Sequence, residues 1–398
     1  MTRHLFKLVW NRKRTNALII LEIFFSFLVV FVVGTLGLWL LDNYRRPLGF
    51  SYQNVWDVEI DMRQSSDDTF TPEQVATFKR LLDETNTLEP VEAAAGTMTL
   101  PYSFQSANNV SDIKGRSVDT EVSEVTRDFD KVFGLRLVEG RWFEAGDEAQ
   151  TWKPVVIDAD LAQEVFGDEN PIGQRFGDPD PERPELRVVG VVSDFRRSGE
   201  LSGRGNFLFR YKRAGHPEDR PPQHLAIRVR PGTTANFEEV LVKRLQAVAP
   251  EWSFEVKPLT EMRRSSFRIF LTPLAAGGIV ALFLLLMVGL GLIGVLWQNL
   301  LQRTREMGLR RATGASRRNV HSQVIVEQLI LTTLGVLAGA VLVVQIPILD
   351  LVGFVSGKIL AAGFLFAMAS IYLLSLVCAL YPSAMAARVQ PAEALRYE

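Results

Sequence analysis

The sequence lacks the residues and motifs from which most enzyme sites are built. It has one cysteine, Cys378, and four histidines among 398 residues, so an intramolecular disulfide is excluded. The histidines lie far apart and match no H-E-x-x-H or cysteine/histidine spacing typical of zinc sites. Neither a phosphate-binding G-x-x-x-x-G-K-[ST] loop nor a G-x-S-x-G nucleophile elbow occurs. We therefore expect that the chain is not an enzyme by itself.

Long apolar runs are the most prominent feature that is present. Each exceeds the roughly 20 residues that a helix needs to cross a bilayer. They predict transmembrane helices at residues 17–41, 269–297, 324–346 and 359–381. The first run has no small-residue cleavage site after it, so we interpret it as an uncleaved anchor.

The distribution of positive charge predicts the orientation of these spans. The N-terminal segment 1–16 is basic and has no acidic residue, and the loop 298–323 is also strongly basic. Such segments stay on the cytoplasmic side. The tail 382–398 is then cytoplasmic too, while residues 42–268 and the short loop 347–358 are external.

The external segment 42–268 carries 30 basic and 39 acidic residues, a net charge of −9. This balance argues against a nucleic-acid partner, because phosphate binding needs a basic surface.

Alternating and helical patterns predict two β-α-β units in the external segment. Residues 55–61 alternate as a half-buried strand, and Thr71 to Gln74 has the pattern of a capping box that opens a helix. The order of strand, helix and strand occurs again in residues 223–258. An α+β domain of the ferredoxin-like kind is therefore predicted. It consists of the halves 42–100 and 223–258, an inserted subdomain 101–222 and a stalk 259–268.

Within the insertion, residues 154–157 and 186–192 predict strands and residues 158–166 a helix. Residues 193–222 are rich in arginine, glycine and proline and predict a long mobile loop. Such a loop could dock a partner, and a solvated loop without a role fits the same composition.

The stalk pattern continues into the second span, where Pro273 is the residue expected to bend or reset the helix. Gly335 and Gly339 predict close helix packing, within the chain more than between chains.

Two acidic residues, Glu22 and Glu327, lie in or at the head of predicted spans. An intramembrane carboxylate is a functional candidate by default. The ordinary alternative for Glu22 is that it reaches water at the interface, or pairs with Arg14 or the basic loop.

The basic loop 298–323 contains one acidic residue, Glu306, among several arginines. Residues 305–312 predict a short amphipathic helix that ends at Gly314, and Ser316 is expected to cap the next helix. Charge alone is equally typical of a loop whose arginines contact lipid headgroups.

Three sets of residues resemble parts of one known family. The run RTREMGLRRATGASRRNV, followed by Glu327, resembles the cytoplasmic coupling segment of the FtsX/MacB-type permeases of type VII ABC transporters. The C-terminal residues 381–398 are similar to its closing P-x-x-x-A-A-x-x-x-P-x-x-A-L-R. Segments 140–143, 166–173 and 188–194 resemble its MacB-like extracytoplasmic domain.

The resemblance implies one anchor span, a large extracytoplasmic domain and three further spans in a bacterial cytoplasmic (inner) membrane. It implies that a coupling segment docks on a cytoplasmic ABC ATPase dimer, which binds ATP and Mg, so that this chain holds no cofactor. The chain is expected to pair with a second permease copy or paralogue, and a periplasmic membrane-fusion protein is a further partner that the resemblance suggests. The residues assigned to the ATPase contact are Arg305, Glu306, Met307, Gly308, Leu309, Arg310, Arg311 and Gly314.

Because the sequence starts close to the first span, we expect the ATPase to be a separate polypeptide. The implied function is ATP-driven mechanotransmission that expels peptide, antibiotic or lipid-linked cargo. Two alternatives are a lipoprotein-release permease like LolC/LolE and an FtsX-like regulator that activates a cell-wall hydrolase. The length of the 42–268 segment favours the pump-like function.

Overall fold

The computed structural model describes residues 13–62, 70–103, 108–113, 116–177, 184–216, 219–312, 316–349 and 351–386. The chain divides into two compact units. The helical unit comprises Met1–Asp42 and Leu271–Glu398, and the sheet unit comprises Asn43–Phe270.

Helices of very different length occur in the two units. They are α1 (Lys13–Tyr44), α2 (Pro72–Asn86), α3 (Phe129–Phe133), α4 (Ala159–Phe166), α5 (Asn236–Val248), α6 (Leu259–Ala312), α7 (Arg317–Val343), α8 (Gln345–Ile348) and α9 (Gly357–Ala386). The strands are β1 (Val55–Asp61), β2 (Val91–Thr97), β3 (Asn108–Ile113), β4 (Arg116–Val125), β5 (Leu137–Gly140), β6 (Lys153–Asp158), β7 (Arg175–Phe176), β8 (Leu186–Val192), β9 (Phe207–Tyr211), β10 (His224–Val229) and β11 (Ser253–Pro258).

Helices α1, α6, α7 and α9 contain segments that are long and apolar enough to cross a membrane. These segments are Ala17–Tyr44, Leu259–Gln298, His321–Ile348 and Gly357–Ala384. They coincide with the four apolar runs, so the prediction of four such helices is confirmed within the described residues.

Small residues set how closely α1 and α7 pack. A Cβ atom at Gly335 would lie 2.6 Å from Cγ2 of Ile23, and one at Gly339 would overlap the ring of Phe27. Both partners belong to the buried core of the helical unit. The predicted intrachain packing at this glycine pair is confirmed. The two helices can approach this closely because glycine has no side chain.

The sheet unit is built on a path of strands in the order β11-β1-β10-β2-β4-β9-β6-β8-β5. β3 pairs with β4 and β7 pairs with β8 beside this path. The first four strands, with α2 and α5, form the two predicted β-α-β units. Phe78 and Leu81 of α2 and Leu241 of α5 are fully buried under one face. Burial of each such side chain stabilises the fold by about 1.5–3 kcal/mol.

The predicted capping box at the start of α2 is confirmed. The backbone N–H of Gln74 donates to Oγ1 of Thr71 at 3.2 Å, and the N–H of Thr71 donates to Oε1 of Gln74 at 2.8 Å. These bonds satisfy two of the groups that a helix N-terminus leaves unpaired.

The prediction that residues 193–222 form a mobile loop is wrong. β9 lies inside this range, pairs parallel with β4 and antiparallel with β6, and buries Phe207, Leu208 and Phe209. The strand has only five residues, and the glycine, arginine and proline on both sides outweigh it in composition. A strand in the middle of a sheet was therefore hidden by its flanks.

Helix α6 is longer than predicted. It runs without a break from Leu259 to Ala312 and contains Pro273, so proline does not reset it. Residues 305–312 are helical as predicted, but they are the last turns of α6 and not a short helix of their own.

Candidate functional site

The predicted coupling residues lie on the last turns of α6. Residues 305–311 are helical, whereas Gly314 lies outside the described residues. Ser316 caps α7 as predicted, since its Oγ accepts a bond of 3.2 Å from the N–H of Asn319. The contact of this segment with an ATPase stays a prediction.

The two acidic candidates in the helical unit lie on different helices. Glu22 of α1 is half-buried beside α6, and a Cβ at Gly291 would lie 2.8 Å from its Oε2. Gly291 therefore provides the space that the carboxylate fills. Glu327 is half-buried on α7, and its role, like that of Glu22, stays a prediction.

Sequence reasoning missed a buried segment between β8 and β9, residues 195–202, which we name the tether. Arg196 of the tether is only 4% exposed. Its guanidinium donates to the carbonyl oxygens of Asn43 at 2.6 Å and Glu200 at 2.7 Å, and to that of Ser202. Asn43 is in the last turn of α1, where carbonyls have no intrahelical partner and positive charge is favourable. Arg196 thus binds the last turn of α1 at Asn43, a residue that belongs to the sheet unit itself.

Glu200 connects the tether to the first turns of α6. Its carboxylate accepts a bond of 2.7 Å from Nε of Arg263 and one of 3.0 Å from the hydroxyl of Tyr102. Ser266 donates to the carbonyl of Ser198 at 3.3 Å. The tether therefore binds the last turn of α1 and the first turns of α6, and both of these helices contain a candidate span.

The backbone at Tyr102 is strained where it meets the tether. Its φ is +64°, a region that bulky residues rarely adopt, at a cost of about 1–3 kcal/mol. The N–H of Tyr102 donates to the carbonyl of Arg197 at 2.7 Å, and Gly199 leaves room for the tyrosine ring. Burial, together with the carboxylate of Glu200, raises the pKa of Tyr102 well above its usual value. The hydroxyl therefore remains a donor at physiological pH.

A second charge pair, between a partly exposed arginine and a buried carboxylate, stabilises segment 140–143. Arg141 donates to both carboxylate oxygens of Asp147, at 2.7 and 2.6 Å, and the side chain of Asp147 is 2% exposed. Burial by itself would raise the pKa of Asp147. The bonds from Arg141 and from the N–H of Glu144 outweigh burial and lower this pKa below its usual value.

We expect Asp147→Asn to lower the free energy of unfolding at neutral pH by about 1–3 kcal/mol, because Arg141 loses a bidentate acceptor. A depressed pKa contributes stability above the unfolded-state value of about 3.9, and this contribution is lost as the pH falls through the folded-state pKa. The difference between wild type and variant should therefore shrink in acid. Thermal unfolding at neutral and acidic pH measures it, and a difference independent of pH would contradict the assignment.

The three segments that resemble the MacB-like domain come together at the β5 end of the sheet. A Cβ at Gly140 would lie 2.7 Å from Cδ1 of Ile172 and 2.9 Å from Cα of Gly190. Gly140 also has a φ of +69°, which favours glycine. The segments are thus parts of one packed structure, and a cleft of about 730 Å³ lies beside them.

Two family models match two successive parts of the chain. Residues 17–243 match the MacB-like periplasmic core domain, and residues 278–391 match the FtsX-like permease C-terminal domain.

Curated relatives include the pyoverdine export ATP-binding/permease protein PvdT of Pseudomonas syringae pv. tomato, which is 27% identical over 68% of this chain and 42% of its own length. The macrolide export ATP-binding/permease protein MacB of Bdellovibrio bacteriovorus is 25% identical over 70% of this chain and 44% of its length. The chain thus spans less than half the length of these two relatives.

Among solved structures, the periplasmic region of MacB from Actinobacillus actinomycetemcomitans aligns with 57% of this chain and 96% of its own. The TM-score is 0.38 and the identity is 17%.

Proposed function

The chain belongs to the family of FtsX-like permeases that carry a MacB-like periplasmic core domain, and on this basis we propose that it is the permease subunit of an ABC transporter. In this role it transmits the motion of an ATPase across the bacterial inner membrane to its external domain, with both termini in the cytoplasm.

The observation that carries this proposal is the continuous helix α6. Its first turns are bound by the tether through Arg263 and Ser266, and its last turns contain the basic segment 303–311. No loop interrupts α6 between these ends, and Pro273 is a position where a helix can kink. Displacement of the basic end would therefore reach the tether without being absorbed by a loop.

We assign ATP and Mg binding to an ATPase dimer that lies outside these 398 residues. The 398 residues contain no phosphate-binding loop motif, and the matched relatives are named as ATP-binding/permease proteins. A second permease copy or paralogue completes the membrane part, and a membrane-fusion protein is the proposed outer partner.

The proposed activity is export of a peptide, antibiotic or lipid-linked cargo from the outer face of the membrane. The names of the relatives support this class, since one is named for export of pyoverdine and the other for export of macrolides. In this scheme the external domain moves the cargo, so the cargo does not need to pass between the four spans.

Replacement of Met307 and Leu309 by aspartate tests the ATPase contact. We expect the double variant to lose the ATPase that co-purifies with the wild-type chain from its native host. Two apolar anchors at the centre of an interface contribute about 2 kcal/mol or more each, and buried carboxylates would also oppose docking.

The matched control is Val240→Asp, which adds a charge at a residue that is 51% exposed on α5. This variant should keep the ATPase. Unchanged co-purification in the double variant would remove the coupling assignment, and ATP hydrolysis by the purified chain alone would remove the assignment of ATP binding to a partner.

A further inference from the structure

Five arginines of the sheet unit lie close to the apolar runs of α1 and α6. They are Arg45, Arg46, Arg263, Arg264 and Arg268. We name the two segments that contain them, 42–47 and 260–268, the collar. The collar has two acidic residues, Asp42 and Glu261, whereas the whole segment 42–268 carries a net charge of −9. Positive charge is thus concentrated at one place on an otherwise acidic domain.

An aromatic contact brings the two segments of the collar together. The rings of Tyr44 and Phe267 pack edge to face, with their centroids 6.3 Å apart. The guanidinium of Arg263, which is paired with Glu200, lies 4.5 Å from the ring centroid of Phe267 and holds this ring in place. The end of α1 and the first turns of α6 are therefore side by side, and the other arginines of the collar form one basic surface.

The exposed side chains of the collar combine positive charge with aromatic and apolar surface. Arg45, Arg264 and Arg268 are exposed. Arg264 and Arg268 are four residues apart, so they lie on the same face of α6. Tyr44 is 53% exposed, and Ile269, next to the collar, is 51% exposed. This combination is typical of a membrane interface, where tyrosine lies among the headgroups and a long basic side chain places its charge in water.

The distance of the collar from the apolar runs matches the depth of a headgroup layer. A bilayer has a hydrocarbon core of about 30 Å and a total thickness of about 40–45 Å, which leaves about 5–8 Å of headgroups on each side. At a rise of about 1.5 Å per residue, this layer corresponds to about three to five residues of helix. Arg45 follows the run 17–41 by four residues, and Arg268 and Arg264 precede the run 269–297 by one and five residues.

We propose that the collar binds the headgroups of anionic phospholipids in the leaflet on the side of the sheet unit. Arg45, Arg264 and Arg268 donate to phosphate oxygens, which the planar fork of a guanidinium matches in geometry. The negative surface potential of an anionic leaflet adds an attraction for each of these charges. Tyr44 and the ring of Phe267 lie at the same level, between the headgroups and the hydrocarbon.

A lipid fits the collar better than an acidic protein does. The basic segments 1–16 and 298–323 lie at the opposite ends of the same two spans, so the retention of positive charge in the cytoplasm does not account for both sets. A protein partner would need the arginines to be clear of the membrane, whereas their distance from the apolar runs places them at the level of the headgroups. The inference requires only that the spans lie in a bilayer, and it stands apart from coupling to an ATPase.

The test places a fluorophore in the collar and measures which lipid lies beside it. The fluorophore is attached to the exposed position 265 in the variant Ser265→Cys, with the native cysteine removed by Cys378→Ala. The labelled full-length chain is reconstituted in phosphatidylcholine vesicles that contain a small fraction of lipid with a quencher high on its acyl chain. Quenching acts over a short distance, so it reports lipid at the collar and not lipid at the basic loop 298–323.

We expect quencher-bearing phosphatidylglycerol to be enriched beside the fluorophore by about fivefold or more over phosphatidylcholine with the same quencher. The enrichment should fall with added salt, because the attraction is between charges near water. Equal quenching by the two lipids would overturn the proposal.

Three double variants of the labelled chain assign the enrichment to the collar. Arg45→Gln/Arg264→Gln should reduce it to about twofold or less, because two of the exposed charges are lost. Arg45→Lys/Arg264→Lys keeps both charges and should retain most of it. The matched control, Arg230→Gln/Arg244→Gln, removes two charges at exposed positions outside the collar and should behave as wild type does. An unchanged enrichment in the first variant, or an equal loss in the control, would also overturn the proposal.

Discussion

If the chain acts as proposed, a flexible insertion next to Ser265 is expected to abolish ATP-driven export without releasing the ATPase. The insertion would consist of seven glycine and serine residues within the first turns of α6, a number that would form about two turns of a helix. Glycine in a helix interior costs up to about 1 kcal/mol per residue, so the insert would not continue the helix. Motion of the basic end would then be lost in the insert. Export of cargo by cells measures the loss of activity, and co-purification measures whether the ATPase remains bound.

The matched control is a helix-forming insert of the same length at the same position. Seven residues complete nearly two turns, so the residues on either side keep almost the same angular relation. This variant should retain a measurable part of the export activity. Full export with the glycine–serine insert would show that α6 does not carry the motion.

Replacement of Arg196 by methionine is expected to cause the largest loss of stability in the sheet unit. The side chain is 4% exposed and donates to four backbone carbonyls, including that of Asn43 in α1. Removing it leaves buried acceptors without a donor, which costs about 3 kcal/mol or more. For a unit of this size the thermal midpoint should fall by about 10 °C. Thermal unfolding of the full chain, followed by tryptophan fluorescence, measures the shift.

Arg204→Met provides the comparison for this variant. Arg204 lies just beyond the tether, its side chain is 54% exposed, and its ion pair with Asp160 is at the surface. Exposed pairs contribute about 1 kcal/mol or less, so a small shift is expected. If the two variants lowered the midpoint equally, Arg196 would have no special role in fixing α1.

The parts of the fold that were predictable share a periodic signal. The four spans are long apolar runs, and the two β-α-β units have strands and helices whose pattern repeats over several residues. The capping box of Thr71 and Gln74 is a local motif with a direct physical cause, and it appears as expected. β9 was not predicted, because five residues between turn-forming flanks give too short a pattern. Its place in the sheet depends on pairing with β4 and β6, which are distant in the sequence.

The tether was not predictable for a similar reason. The composition around the charged residues Arg196, Glu200 and Arg263 is typical of segments exposed to solvent. No local pattern indicates that Arg196 and Glu200 are buried. Their burial results from contacts across 63 to 153 positions of sequence. The best available signal was that the apolar strand 186–192 runs directly into Phe195 and two arginines. The coupling residues, in contrast, were identified from resemblance, and their contact with an ATPase is a prediction for experiment.

Hydrogen–deuterium exchange of the tether in the proposed complex with an ATPase would test the central claim most directly. If α6 transmits the motion, addition of ATP should change the exchange of backbone amides in residues 195–202 of the wild-type chain. The same amides should not respond when the glycine–serine insert interrupts α6. An unchanged tether in the wild-type complex, or an equal response with the insert, would contradict transmission through this helix.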